Sequence, residues 1–241
     1  MRHVYATAVA MHVTASMDVT ALCCAAMCST TVGRSVTTFS KKQNKYRQKM
    51  NKEDCCRIFC IDDIMDLPQT VMDVVMGDRK QRNAVYKELL SVNHHDMSFD
   101  WFRQLYEEEF AQRKKQKQDF TPVEVSELVA KIALPDAGTI HEPTAGTGGL
   151  IISAWWEQCR RVIPWEYFPS QHMITVWELS DRAIPLLLLN LSIRGIMGYV
   201  YHGDVLERTV KARYILLNRS DDALGFSDVV IARPGDRIVE Q

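Results

Sequence analysis

The stretch His141-Glu142-Pro143-Thr144-Ala145-Gly146-Thr147-Gly148-Gly149 constrains the fold more than any other part of this chain. Before it, Ala137-Gly138-Thr139-Ile140 reads as a turn feeding a short strand. After it, Leu150 to Trp156 reads as an apolar helix. Strand, glycine loop, helix is the order a nucleotide-type ligand needs. Glycine admits positive φ and close backbone approach, and the first amides of the new helix face the same place. The spacing is neither the GxGxxG of nicotinamide binders nor the lysine-containing phosphate loop, because no Lys follows Gly149 and the acidic Glu142 precedes the turn. A carboxylate beside the loop repels phosphate and welcomes an ammonium or sulfonium. Glycine-rich turns also arise for purely local reasons, so the loop alone leaves both readings open.

A second motif lies upstream. Gln118-Asp119-Phe120-Thr121-Pro122 opens a helix expected from Val123 to Ile132. With Phe120-Thr121-Pro122 followed by Glu142-Pro143-Thr144-Ala145-Gly146-Thr147-Gly148-Gly149, the chain resembles the adenine-specific (N-6) DNA methyltransferase family, in particular the modification subunit of type I restriction systems. The resemblance extends from about Ser98 to the C-terminus. It implies an S-adenosyl-L-methionine site at Phe120, Thr121, Pro122, Glu142, Pro143, Ala145, Gly146 and Gly148. His141 departs from the family, which more often carries Asp there.

The periodicity after the glycine loop alternates between strand and helix. Strands are expected at Met173–Trp177, Tyr199–His202 and, as the fourth, Asp228–Ala232, with a leucine-rich helix from Asp181 to Arg194. Such repeats predict a parallel sheet with ligands at the carboxyl ends of its strands. Glu178 ends the second strand, where a carboxylate can accept from both ribose hydroxyls. Asp204 ends the third, where it can accept from the adenine amine of the cofactor. The resemblance implies both roles; the bland alternative is that each acid caps a turn.

After its fourth strand the family carries Asn or Asp, two prolines and an aromatic, which hold a flipped adenine and accept the hydrogens of its amine. Here those positions read Arg233-Pro234-Gly235-Asp236. A guanidinium only donates, Gly235 replaces a proline and Asp236 replaces the aromatic. The candidate catalytic positions are therefore Arg233, Pro234 and Asp236, in a degenerate loop.

Residues 62–118 show helical spacing, with Ile64, Leu67, Val71, Val74 and Val75 on one face and Val85, Leu89 and Leu90 on the next. Ser98 is expected to cap a third helix carrying Trp101, Leu105 and Phe110 as core residues. The basic run at 113–117 is either a solvated helix end or a phosphate contact. The apolar segment before Ser35 is broken by His12, Thr14, Ser16 and Asp18, which does not suit a secretory signal. Cys23-Cys24 with Cys28 recurs as Cys55-Cys56 with Cys60, but the two-residue gap of a zinc site is missing, so no metal is expected.

The expected organisation has three parts: a disordered extension over 1–50, a helical region over 51–118, and an α/β, Rossmann-like S-adenosylmethionine-dependent methyltransferase domain over 119–241, incomplete after the fourth strand. A net charge of −1 gives no global argument for nucleic acid. Seven cysteines without a secreted framework suit a reduced cytoplasm, and no apolar run nears the roughly 20 residues of a membrane span. The resemblance implies DNA as substrate, a specificity or other restriction-modification subunit as partner, and adenine methylation as activity. The alternative is a catalytically silent cofactor binder that acts as an interaction or regulatory subunit.

Overall fold

The computed structural model describes residues 50–110, 121–133 and 138–233. Phe120, Pro234, Asp236, the basic run at 113–117, and all of the expected extension over 1–50 but Met50, with its first cysteine cluster, lie outside them. All described residues belong to one compact unit, Arg47–Gln241.

Helices α1 (Lys52–Phe59), α2 (Leu67–Met76) and α3 (Arg79–Val92) come first. Each start has a local cause. Asn51 accepts from the amide of Asp54 at the head of α1, and Asp78 accepts from those of Lys80 and Gln81 at the head of α3. Pro68 sits in the first turn of α2, where its missing N–H costs nothing. Helices α4 (Arg103–Glu109) and α5 (Val123–Ala133) follow. The N-cap of α4 is Phe102, and the side chain that holds the turn before it is Asp100 and not Ser98. Asp100 Oδ1 accepts from the amides of Phe102 and Arg103, while Ser98 donates to Asp96. Trp101, Leu105 and Phe110 are buried, as core residues should be.

Strand β1 (Ile140–Glu142), α6 (Gly149–Cys159), β2 (Ile174–Glu178), α7 (Ala183–Ile193) and β3 (Gly198–Asp204) then alternate as the periodicity predicts. The next stretch departs from expectation. Residues Thr209–Leu217, to which the sequence reading assigns no element, form β4, so Asp228–Ile231 is the fifth strand, β5. The sheet runs β1-β2-β3-β4-β5. Pairing is parallel from β1 to β3 and antiparallel from β3 through β5. The expected all-parallel sheet is thus a mixed one, because the short turn after Asp204 allows only a hairpin where a parallel crossover needs a dozen residues or more.

One face of the sheet carries the core. Ile174, Val176, Val200 and Leu216 are buried there, and every residue of α7 is buried. A helix that is apolar all round is expected to lie inside a protein, and α7 does so with α2 packed against it. On the other face Trp177 and Tyr201 stack across β2 and β3 at 4.7 Å, with the Arg213 guanidinium 5.7 Å above the Tyr201 ring. The N-terminal helices are tied to the far end of the sheet by Arg82 of α3, whose Nη2 lies 2.7 Å from Asp228 on β5. Tyr86 adds a 2.5 Å hydroxyl contact with Ser192 of α7.

Candidate functional site

The glycine loop is built as its sequence requires. Gly146 and Gly148 take φ of 58° and 101°, in the left-handed region that side chains rarely enter. Gly148 caps α6 without a side-chain hydrogen bond, so amides of the first turn point out of the loop. Two carbonyl contacts fix the chain path: Ala145 N–H donates to the Trp177 carbonyl and Gly148 N–H to the Ala145 carbonyl, both at 2.9 Å.

Carboxylates surround this loop. Glu178, at the end of β2, accepts from Gly146 N–H on one oxygen and from Ser180 N–H on the other, both at 2.7 Å. Burial raises its pKa above the ordinary glutamate value, against the pull of those two bonds, the Leu179 amide and the nearby His202. Glu142, at the end of β1, faces the amide and hydroxyl of Thr144 at 3.4 Å. Asp204, at the end of β3, accepts from the amides of Leu206 and Glu207 at 2.8 and 3.1 Å. Glu178 and Asp204 each cap a turn, and each also lines the same cavity.

That cavity holds about 530 Å³ and opens over the carboxyl ends of β1, β2 and β3. It gathers Thr121, Glu142, Pro143, Ala145, Gly146, Glu178 and Asp204 from four separate stretches of sequence. Pro122 and Gly148 do not line it. Pro122 starts α5, its carbonyl accepting from Val125 and Ser126, and Gly148 shapes the loop from beneath. Arg233 is exposed and is not among the cavity's residues. It follows β5, two strand spacings from β3 and four from β1, on the order of 10 Å and 19 Å across the sheet.

Sequence reasoning missed one wall of the cavity, formed by Asp100, Arg103, Tyr106 and Ser126. Asp100 is the hub of that wall. Its Oδ2 accepts from the Thr147 hydroxyl in the glycine loop, and its Oδ1 accepts from Asn190 Nδ2 of α7 at 2.8 Å. Asn190 Nδ2 also donates to the Thr147 carbonyl at 2.8 Å. Burial raises the Asp100 pKa, with hydrogen bonds from Thr147 and Asn190 and the charge of Arg194 working against it. Arg194 is itself only 1 % exposed. It donates to the carbonyls of Met97, Phe99 and Asn190, and burial brings its pKa down to about 10. The segment before α4 is thereby fastened both to the loop and to the central helix. The signal available in sequence was Asp100 itself, an acid placed to cap the turn at Phe102 and Arg103.

The site can hold a ligand of nucleoside size, since cavities of roughly 300–1,000 Å³ serve small molecules. Its carboxyl groups favour a cationic one. Among the described residues no group of three or more His, Cys, Asp or Glu side chains is placed to hold a metal ion.

Comparison with known proteins gives the following. Residues 97–234, more than half of the chain, match the family described as N-6 DNA methylase. No curated protein matches. A crystal structure of the type I restriction-modification system methyltransferase subunit from Streptococcus thermophilus is similar at 17% identity and a TM-score of 0.36. The alignment covers 70% of this chain and 43% of that one, so the chain matches less than half of that subunit's length.

Proposed function

The chain belongs to the N-6 DNA methylase family, and on that premise we propose that it is an S-adenosyl-L-methionine-dependent DNA adenine N-6 methyltransferase of a restriction-modification system. The α/β domain is read as Rossmann-like, with the cofactor held over the ends of β1 to β3. The carrying observation is the convergence of the glycine loop, Thr121 and the carboxyls of Glu142, Glu178 and Asp204 on one cavity of about 530 Å³. A phosphate-bearing cofactor would meet those carboxyls at a repulsive distance, whereas a sulfonium ligand meets charge of the opposite sign.

In this reading the Glu178 carboxylate accepts from ribose hydroxyls through the lone pairs that Gly146 and Ser180 leave open. Asp204 accepts from the adenine amine. Pro143, Ala145 and Gly146 line the amino-acid end, and Thr121 adds a further wall, the member of the Phe120-Thr121-Pro122 motif that is among the cavity's residues. When bound, the cofactor supplies an electrophilic methyl group on sulfur. The acceptor is the N-6 amine of an adenine flipped from duplex DNA, and Arg233, Pro234 and Asp236 occupy the sequence positions at which the family receives it. A specificity or other restriction-modification subunit would choose the target. No helix of the described residues is long and apolar enough to cross a membrane, which suits the cytoplasmic setting we propose.

A second reading has its own support. Arg233 brings only donors to a position that needs an acceptor, and it follows the strand farthest from the glycine loop. A catalytically silent relative that binds the cofactor and acts by interaction satisfies both facts. Calorimetric titration with S-adenosylmethionine, repeated on Asp204→Ala, tests the cofactor site. Saturable binding that weakens at least about tenfold in the variant is expected. A folded protein that takes up no cofactor refutes both readings. Methyl transfer to adenine-containing DNA then separates enzyme from silent binder.

A further inference from the structure

The cavity's charges are unevenly matched. Asp100, Glu142, Glu178 and Asp204 contribute carboxyl groups, and among the described lining residues Arg103 is the one cation. A ligand that was purely cationic would find no use for a guanidinium, which stays charged at any physiological pH and only donates. An α-amino acid uses both signs.

The placement of Arg103 is fixed from two directions. Its backbone N–H donates to Asp100 Oδ1 at 3.2 Å, and the other oxygen of Asp100 accepts from Thr147 in the glycine loop. Its Nε donates to Glu107 Oε1 at 2.8 Å, one helical turn on. The ε nitrogen is thus occupied by the protein itself, and the η nitrogens make no hydrogen bond within the described residues. The side chain is 20% exposed, and Arg103 is among the residues that line the cavity. A guanidinium held by Nε beside a ligand space, with its η groups making no hydrogen bond within the described residues, is able to take a planar anion in two parallel hydrogen bonds.

We propose that Arg103 binds the carboxylate of the cofactor's amino-acid end, so that the site selects an adenosyl amino acid over an adenosyl thioether that lacks the carboxylate. This rests on the cofactor reading above and extends it to a residue outside every motif that suggested that reading. Arg103 also makes the segment before α5 part of the ligand site, through Asp100 and the loop it holds.

The test compares two nucleosides on the full chain by calorimetry: S-adenosylhomocysteine, which carries the amino-acid end, and 5′-methylthioadenosine, which does not. Arg103→Gln should weaken S-adenosylhomocysteine by roughly 10- to 100-fold, the range of a charge-assisted hydrogen bond. The same change should move methylthioadenosine by less than about twofold, which also shows that the variant is folded. Arg103→Lys should recover part of the loss. In the unmodified protein, decarboxylated S-adenosylhomocysteine should bind more weakly than its parent by a comparable factor. Equal losses for both nucleosides, or equal affinity for the parent and decarboxylated compounds, would overturn the assignment. If the unmodified protein binds neither nucleoside, the cofactor reading fails and this inference falls with it.

Discussion

At the scale of single residues, the site is a set of buried or half-buried carboxyls whose protonation matters to any ligand. Glu178 shows this most directly, because burial raises its pKa while its loop contacts need the ionised form. For an acid raised in the folded state, ionisation opposes folding. Its contribution to stability is complete below the unfolded pKa and fades as pH climbs to the folded value. Ligand binding runs the other way, since ribose hydroxyls donate to a carboxylate. S-adenosylmethionine affinity should therefore rise with pH through the raised Glu178 value and level off above it. Glu178→Gln should lower the plateau by about tenfold and flatten that part of the profile. Asp100, also raised by burial, is present in both proteins, so the difference between the two profiles isolates Glu178. Titrations at several pH values decide it, and identical profiles would remove Glu178 from the ligand's partners. Glu178 and Asp204 were legible in sequence because each directly follows a β-rich run. Asp100 and Arg103 were not, since Asp100 joins the site through Thr147 and Asn190, 47 and 90 residues away, with Arg103 beside it, and no local pattern marks such a pairing.

At the scale of elements, the strands that carry the site are held by close backbone approach. Gly198 opens β3 with φ of 146°, and a Cβ there would lie 2.1 Å from the Ile174 carbonyl oxygen on β2. Gly198→Ala must push the two strands apart where their parallel pairing begins. A loss of about 2–3 kcal/mol is expected from the backbone strain, read by urea denaturation. An unchanged midpoint would mean that the strands are not in this register. Strand β4 was missed for a different reason. Its alternation of Val210, Ala212, Tyr214 and Leu216 with Lys211 and Arg213 is visible in the sequence. It follows Asp204 so closely, however, that it belongs to a hairpin, and the strand–helix rhythm read from the preceding elements leaves no room for one. Helix α5 also turned out differently inside its correct bounds. Ser126 and Ala130 face inward, and Leu128 and Ile132 lie exposed on the apolar stripe that amphipathicity would place inside.

At the scale of the whole molecule, strand order decides which residues can meet. β4 inserts between β3 and β5 and carries the end of β5 to the edge opposite β1. Arg233 follows that edge strand, so its substitution should leave the cofactor site undisturbed. S-adenosylmethionine should bind Arg233→Asn within about twofold of the unmodified protein, because Arg233 is not among the residues that line the cavity and a whole strand, β4, separates β5 from β3. A larger change measured by calorimetry would place the loop after β5 against the ligand. The sequence by itself determined the strand-to-helix glycine turn, the three alternating β and α elements around it, and the acids that end β2 and β3. Each of these is written in contiguous residues through glycine conformation, hydrophobic period and position after a strand. Only the tertiary structure decided that the sheet is mixed, that Asp100 and Arg103 form a wall of the cavity, and that Arg233 stands away from it. Those facts depend on which distant segments share a hydrogen bond or a sheet edge, and pairing across the fold leaves no mark in local composition.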